Sequence, residues 1–133
     1  MTATYYAISR NLNKLFNAAT LTQPSSYYLA LSTTTPAVDG TGVTEPSGGS
    51  YARLAVPADG TNWSTATTNT LTNLLTLTFV ESTASWGTIT YVCFYDASSS
   101  GNMWFYSALS PSRTVDSNTT LYFSPSGITV SMP

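Results

Sequence analysis

The sequence predicts an all-β fold: a β-sandwich or jelly-roll-like barrel of seven or eight antiparallel strands with one N-terminal helix, filling a single domain over residues 1–133. Three observations carry this. Short segments of alternating or continuous apolar residues recur along most of the chain. Clusters of Gly, Pro, Asn, Asp and Ser punctuate them at regular intervals. Only one stretch, near the N-terminus, has helical periodicity.

That stretch is YYAISRNLNKLFN, residues 5–17. Tyr5, Ile8, Leu12, Leu15 and Phe16 share one face, and Arg10 and Lys14 stand four apart on another. Thr4 is the expected N-cap, and Lys14 near the end suits the helix dipole. The apolar face is expected either to cover one end of the core or to dock on a neighbouring subunit. Tyr27–Ser32 alternates as a first strand. Thr33–Gly49, TTTPAVDGTGVTEPSGG, is a loop longer than a compact domain usually tolerates without a function for it. Tyr51–Val56 is the next strand, stopped by Pro57, and Trp63 begins a short one. Leu75, Leu77 and Phe79 alternate with Thr76 and Thr78. Gly87–Asp96, GTITYVCFYD, is apolar on both faces, as a central strand would be. Asp96–Asn102 turns the chain into Met103–Leu109, which Pro111 is expected to break. Arg113–Val115, Thr119–Phe123 and Gly127–Met132 complete the set.

Composition narrows the function classes. Only 8% of the 133 residues are charged, against roughly a quarter in a typical domain. About a third are Ser or Thr, and 13% are aromatic. Such a surface suits a chain that lies against other protein. The basic residues are Arg10, Lys14, Arg53 and Arg113, dispersed along the chain. They are too few and too scattered to bind nucleic acid or an anionic membrane surface. There is no histidine, which removes a Ser-His-Asp triad, a Cys-His pair and a His-ligated zinc. Cys93 reads as a small buried hydrophobe. No acid pair suggests a glycosidase, so no catalytic, cofactor or metal site is expected. No signal peptide or membrane span is evident. Asn62-Trp63-Ser64 and Asn118-Thr119-Thr120 match the glycosylation sequon, as a Ser/Thr-rich chain does by chance.

The aromatic residues around Tyr27, Trp86, Trp104 and Tyr106 exceed the needs of one face of a small core. They are expected to pack it, to form a hydrogen-bonding interface, or to stack on sugars. Loop length and the isolation of the helix nominate a set of partner-binding residues: Tyr5, Arg10 and Lys14 on the helix, Val38, Asp39, Val43 and Glu45 on the long loop, and Trp104 and Tyr106 among the aromatics.

Three runs allow a comparison with known sequences. They are YYLALSTTTPAVDGTGVTEPSGGSYARLAV (Tyr27–Val56), LTFVESTASWGTITYVCFYDASSSGNMWFYSALSPSRTV (Leu77–Val115) and TLYFSPSGITVSM (Thr120–Met132). With the opening helix they resemble a family of small tailed-bacteriophage virion proteins described as tail-fibre-like. The chain departs from that pattern at Trp63–Asn73, richer in Thr and Asn, and after Asp96, where SSSGN replaces Thr-Gly-Gly-Asn. Both departures fall in loops. The resemblance implies a non-enzymatic structural protein located in the virion. The absence of a coiled-coil or repetitive stalk favours capsid decoration: a cement protein contacting the major capsid protein or other virion proteins, as a homo-oligomer with a trimer favoured. The alternative is a tail or tail-fibre component that contacts a host receptor or carbohydrate.

Overall fold

A computed structural model describes residues Met1–Pro133. In chain order the elements are β1 (Thr2–Ala3), α1 (Tyr5–Phe16), β2 (Ser26–Ser32), β3 (Leu54–Pro57), β4 (Thr70–Thr72), β5 (Leu77–Thr78), β6 (Gly87–Tyr95), β7 (Met103–Val115), β8 (Tyr122–Phe123) and β9 (Thr129–Ser131). The fold is all-β with one N-terminal helix, as the sequence predicts. Five strands form an antiparallel sheet in the order β1-β7-β6-β2-β3, and β4–β9 and β5–β8 form two short ribbons. The sheets do not close into a barrel.

Strand alternation sorts the core into two faces. Leu29 and Leu31 of β2 stand opposite Phe94 and Val92 of β6, and Phe94 stands opposite Phe105 of β7. This face packs with Leu77, Phe79, Leu121 and Ile128 from the ribbons and their flanks into one cluster of 16 buried residues. The opposite face carries Ala30, Cys93, Tyr95 and Met103, with Val43 of the long loop packed against them. Strand β6 is therefore central and covered on both faces, which explains its continuous apolar run.

Strand β7 differs from expectation. Pro111 does not end it: β7 runs thirteen residues, and four of them, Leu109–Ser112, bulge opposite Thr90 alone. Proline has no N–H, and a bulge is a place in a ladder where none is needed. A second irregularity lies where Tyr95 pairs with Met103 and Phe94 with Phe105, so Trp104 is the extra residue. That bulge turns both Trp104 and Phe105 toward the larger cluster.

The alternation at Leu75–Phe79 yields only the two-residue β5. Asn73, fully buried, takes the place of a strand partner. Its amide donates to the carbonyls of Leu75 and Ser124 at 2.9 Å each and accepts from the N–H of Ile128 at 2.8 Å. Leu74 and Leu75 are left at the surface. Two elements escaped the sequence reading: β1, only two residues long, and β4, inside the Thr/Asn-rich segment. Trp63 contributes an isolated bridge to Asn73.

Candidate interaction surface

Helix α1 forms over nearly the predicted residues, and its attachment decides what it can do. The Thr4 hydroxyl accepts from the N–H of Ala7 at 3.3 Å, as an N-cap does, and donates to the carbonyl of Met103 at 2.6 Å. The N–H of Tyr5 donates to the carbonyl of Val38 at 2.9 Å. Together these fix the rotation of the helix against β7. Ala7 faces inward and is fully buried. Tyr6 meets Trp104 edge-on with ring centroids 5.3 Å apart, and the Arg10 guanidinium lies over both rings.

The apolar stripe consequently points outward. Leu12 is 51% exposed, Leu15 74% and Phe16 85%; Tyr5 is also exposed and Ile8 half-buried. At 3.6 residues per turn, positions 5, 8, 12, 15 and 16 fall within roughly 100° of arc, and Ala7 lies on the other side. Of this face only Ile8 packs against the core, beside Tyr6 and Ala7, while Tyr5, Leu12, Leu15 and Phe16 are left exposed.

Beside the helix is an open cleft of about 560 Å³ between the large sheet and the β4–β9 ribbon. Tyr27, Phe94 and Phe105 of the large sheet line it, with Trp63, Leu71 and Val130. Trp63 packs edge-on against Phe94 with centroids 5.5 Å apart and donates its indole N–H to the carbonyl of Pro57 at 3.0 Å. Hydroxyl and amide side chains ring the mouth, and Asp59 is its only charged residue. The Asp59 carboxylate takes bonds from the side chain and N–H of Asn62 and the N–H of Thr61, all on Oδ1. These bonds hold its pKa below the ordinary carboxylate value, with the Asn62 side chain contributing most.

The long loop is not a free arm. It closes on itself through Thr33 N–H to Thr44 O at 3.0 Å and the Thr34 hydroxyl to Gly42 O at 2.6 Å. It is pinned to the sheet by Glu45. Arg53 donates to both Glu45 oxygens, Nε to Oε1 at 3.0 Å and Nη2 to Oε2 at 2.7 Å, and its Nη1 reaches the carbonyls of Ala97 and Ser100 at 2.8 Å each. The guanidinium stacks on Tyr95, 3.8 Å from the ring centroid. The Tyr51 hydroxyl donates to Glu45 Oε1 at 2.8 Å and accepts from the N–H of Leu31. Burial by itself would raise the Glu45 pKa; the Arg53 and Tyr51 bonds outweigh it and hold the carboxyl below its usual value. At the far end of the loop the Trp86 indole donates to the carbonyl of Gly49 at 2.9 Å.

The nominated residues are thus dispersed. Tyr5 and Val38 come together through their backbone bond. Arg10 lies on aromatic rings, and Lys14 is exposed in the last helical turn. Asp39 is exposed and accepts from the N–H and hydroxyl of Thr41. Val43 and Glu45 face the sheet. Trp104 is buried, donating its indole N–H to Asp96 at 3.2 Å; Tyr106 is half-buried beside the smaller cluster. Sequence reasoning singled out Tyr27 among the aromatics but not the cleft it lines. The available signal was Trp63, a large aromatic in an otherwise polar, threonine-rich stretch.

Burial pushes the Cys93 thiol up to about 12. No three His, Cys, Asp or Glu side chains come together, and no helix is long and apolar enough to cross a membrane. What the surface offers is an exposed apolar stripe and an open cleft with aromatic walls. A protein-family model described as Podophage GP4 fiber I protein gp80 matches residues 2–131. No curated protein matches the chain.

Proposed function

Because the chain belongs to the family of the podophage GP4 fiber I protein gp80, a family of tailed-bacteriophage structural proteins, we propose that it serves as a non-enzymatic fibre subunit of the virion. In this reading residues 1–133 act as one domain and assemble with other virion proteins and with copies of themselves. The observation that carries the reading is the unpartnered stripe Leu12–Leu15–Phe16. A contiguous exposed apolar patch of this kind marks a protein contact, and a fibre subunit works through such contacts. The scarcity of charge fits the same role, since aromatic and neutral hydrogen-bonding contacts are screened by salt far less than surface ion pairs.

A second reading, capsid decoration, draws support from the small, charge-poor β fold of residues 1–133. A protein that binds only the assembled shell stabilises it by mass action, and repetition multiplies modest contacts. Quantitative mass spectrometry of purified virions, with immunogold labelling, separates the two. A fibre subunit gives a small copy number and gold at the fibres. A copy number comparable to that of the major capsid protein, with gold over the head, would replace the fibre reading with decoration.

A further inference from the structure

We infer that the loop Thr33–Gly49 is a latched strap: it opens as one unit while the main core stays packed, and the Glu45–Arg53 pair is its latch. The loop is bonded more to itself than to the body. Besides the Thr33–Thr44 and Thr34–Gly42 bonds, the N–H of Ala37 donates to Thr41 O at 2.8 Å and that of Gly40 to Ala37 O at 3.0 Å. The base closes on the Ser32 hydroxyl, which accepts from the N–H groups of Thr34 and Thr44. Self-bonded surface loops of this kind hold their shape as pieces. Apart from this base, four hydrogen bonds leave the loop between Thr33 and Ser47. One runs from the N–H of Tyr5 to Val38 O, and the other three end on Glu45, from the Tyr51 hydroxyl, Arg53 Nε and Arg53 Nη2. The hold on the body is therefore concentrated at one carboxylate.

The two halves of the latch are held differently. Arg53 has anchors of its own: Nη1 donates to the carbonyls of Ala97 and Ser100, and the guanidinium lies on the Tyr95 ring. It stays in place when Glu45 leaves, so Arg53 is the fixed catch and Glu45 the moving part. Little apolar burial lies beneath the strap. Val43 packs on Ala30, Cys93, Tyr95 and Met103, a cluster of 4 buried residues. The 16 buried residues of the larger cluster include none from the strap. Segments with few buried apolar contacts open at lower free energy than the core. Opening therefore gives up the Val43 contacts and the latch and leaves the larger cluster intact. The far end stays fixed, since Gly49 O accepts from the Trp86 indole and from the N–H of Thr83. The open form presents an apolar sheet face beside an unpaired guanidinium, both hidden in the closed form.

Cys93, the only thiol, lies under the strap and reports its opening. The test follows N-ethylmaleimide labelling of the full chain at neutral pH by intact mass. The wild type is expected to label slowly, at a rate that low urea scarcely changes, because a local opening exposes little surface. Arg53→Met is expected to speed labelling roughly a hundredfold. Glu45→Gln, which leaves the Arg53 bonds to Ala97 and Ser100 in place, is expected to speed it as well. Cys93→Ala/Val92→Cys moves the thiol one position along β6, into the larger cluster on the opposite face. There it is expected to label far more slowly than Cys93, with the latch intact or broken, and at a rate that climbs steeply with urea. Equal rates at the two positions would overturn the inference, because exposure would then require unfolding of the whole chain. A Cys93 rate unmoved by Glu45→Gln would overturn the latch and assign the opening to the β6–β7 turn.

Discussion

Replacing Arg53 by methionine isolates the contribution of the Glu45 pin. The side chain of Arg53 is 7% exposed and that of Glu45 26%. Methionine keeps the aliphatic stem but removes four donor contacts: two to Glu45 and one each to the carbonyls of Ala97 and Ser100. Removing one partner of a buried pair costs about 3–5 kcal/mol, because the remaining charge loses its compensation. Glu45 keeps the Tyr51 hydroxyl and partial access to water, so the lower end, about 3 kcal/mol, is expected. That is a large share of the roughly 7–20 kcal/mol a chain of this length is expected to have, and it corresponds to a melting temperature lower by roughly 10 °C. Urea unfolding of Arg53→Met, Glu45→Gln and the double variant measures it. The double variant carries no orphan carboxylate and should be more stable than the two single losses summed, with a coupling of about 1 kcal/mol or more.

The Glu45 contribution also depends on pH. Glu45 has a lower pKa folded than unfolded, so its contribution is complete above the unfolded value, about 4.3, and is lost as pH falls through the folded one. The gap between wild type and Arg53→Met is therefore expected to be widest near neutrality and to narrow in acid. A loss under about 1 kcal/mol, strict additivity, or a gap that does not change with pH would refute the pin.

Substitutions at four further positions have expected outcomes. Trp86→Ala should cost about 3–5 kcal/mol in urea unfolding, because the ring is buried against Phe79 and Tyr51; Trp86→Phe should cost about 1–2 kcal/mol by depriving the Gly49 carbonyl of its donor. Gly49→Ala should lower the thermal midpoint, since φ is +59° and an added Cβ would lie 2.9 Å from both the Ala84 carbonyl and the Trp86 indole nitrogen. Asn73→Ala should cost about 3 kcal/mol, because its fully buried side chain makes three bonds to backbone, one of them to the buried N–H of Ile128. Thr4→Val should cost about 1–2 kcal/mol and speed amide exchange in the first helical turn, by removing the cap and the bond to Met103.

Periodicity made the long elements legible. Strand β6 follows from its continuous apolar run, the shared face of Leu29 and Leu31 from alternation, and α1 from one apolar arc with a threonine before it. What periodicity does not carry is which way an element faces. The stripe of α1 has the pattern of a core-facing helix, yet the Thr4–Met103 bond rotates it outward; that bond joins residues 99 positions apart. The same holds for β5, cut short by the buried side chain of Asn73, and for β7, where Pro111 ends a strand in isolation but not in a bulge. The cleft was illegible for a similar reason. Its parts come from Gln23, Trp63, Leu71, Phe94 and Val130, brought together only by the packing of a ribbon on a sheet. Glu45 was legible as one of two acids in a long loop, but not its partner eight residues on.

The sealed position of Cys93 has a practical consequence. It is the only thiol in the chain, fully buried in the smaller cluster on one face of the central strand, with its pKa pushed up to about 12. At neutral pH it stays protonated and out of reach of alkylating reagents. A cysteine introduced at Thr67, exposed on the loop before β4, would then be the one reactive sulfur per chain. A maleimide dye or gold cluster would attach there with defined stoichiometry, and no native residue of the core would have to be replaced to make the protein visible in an intact particle.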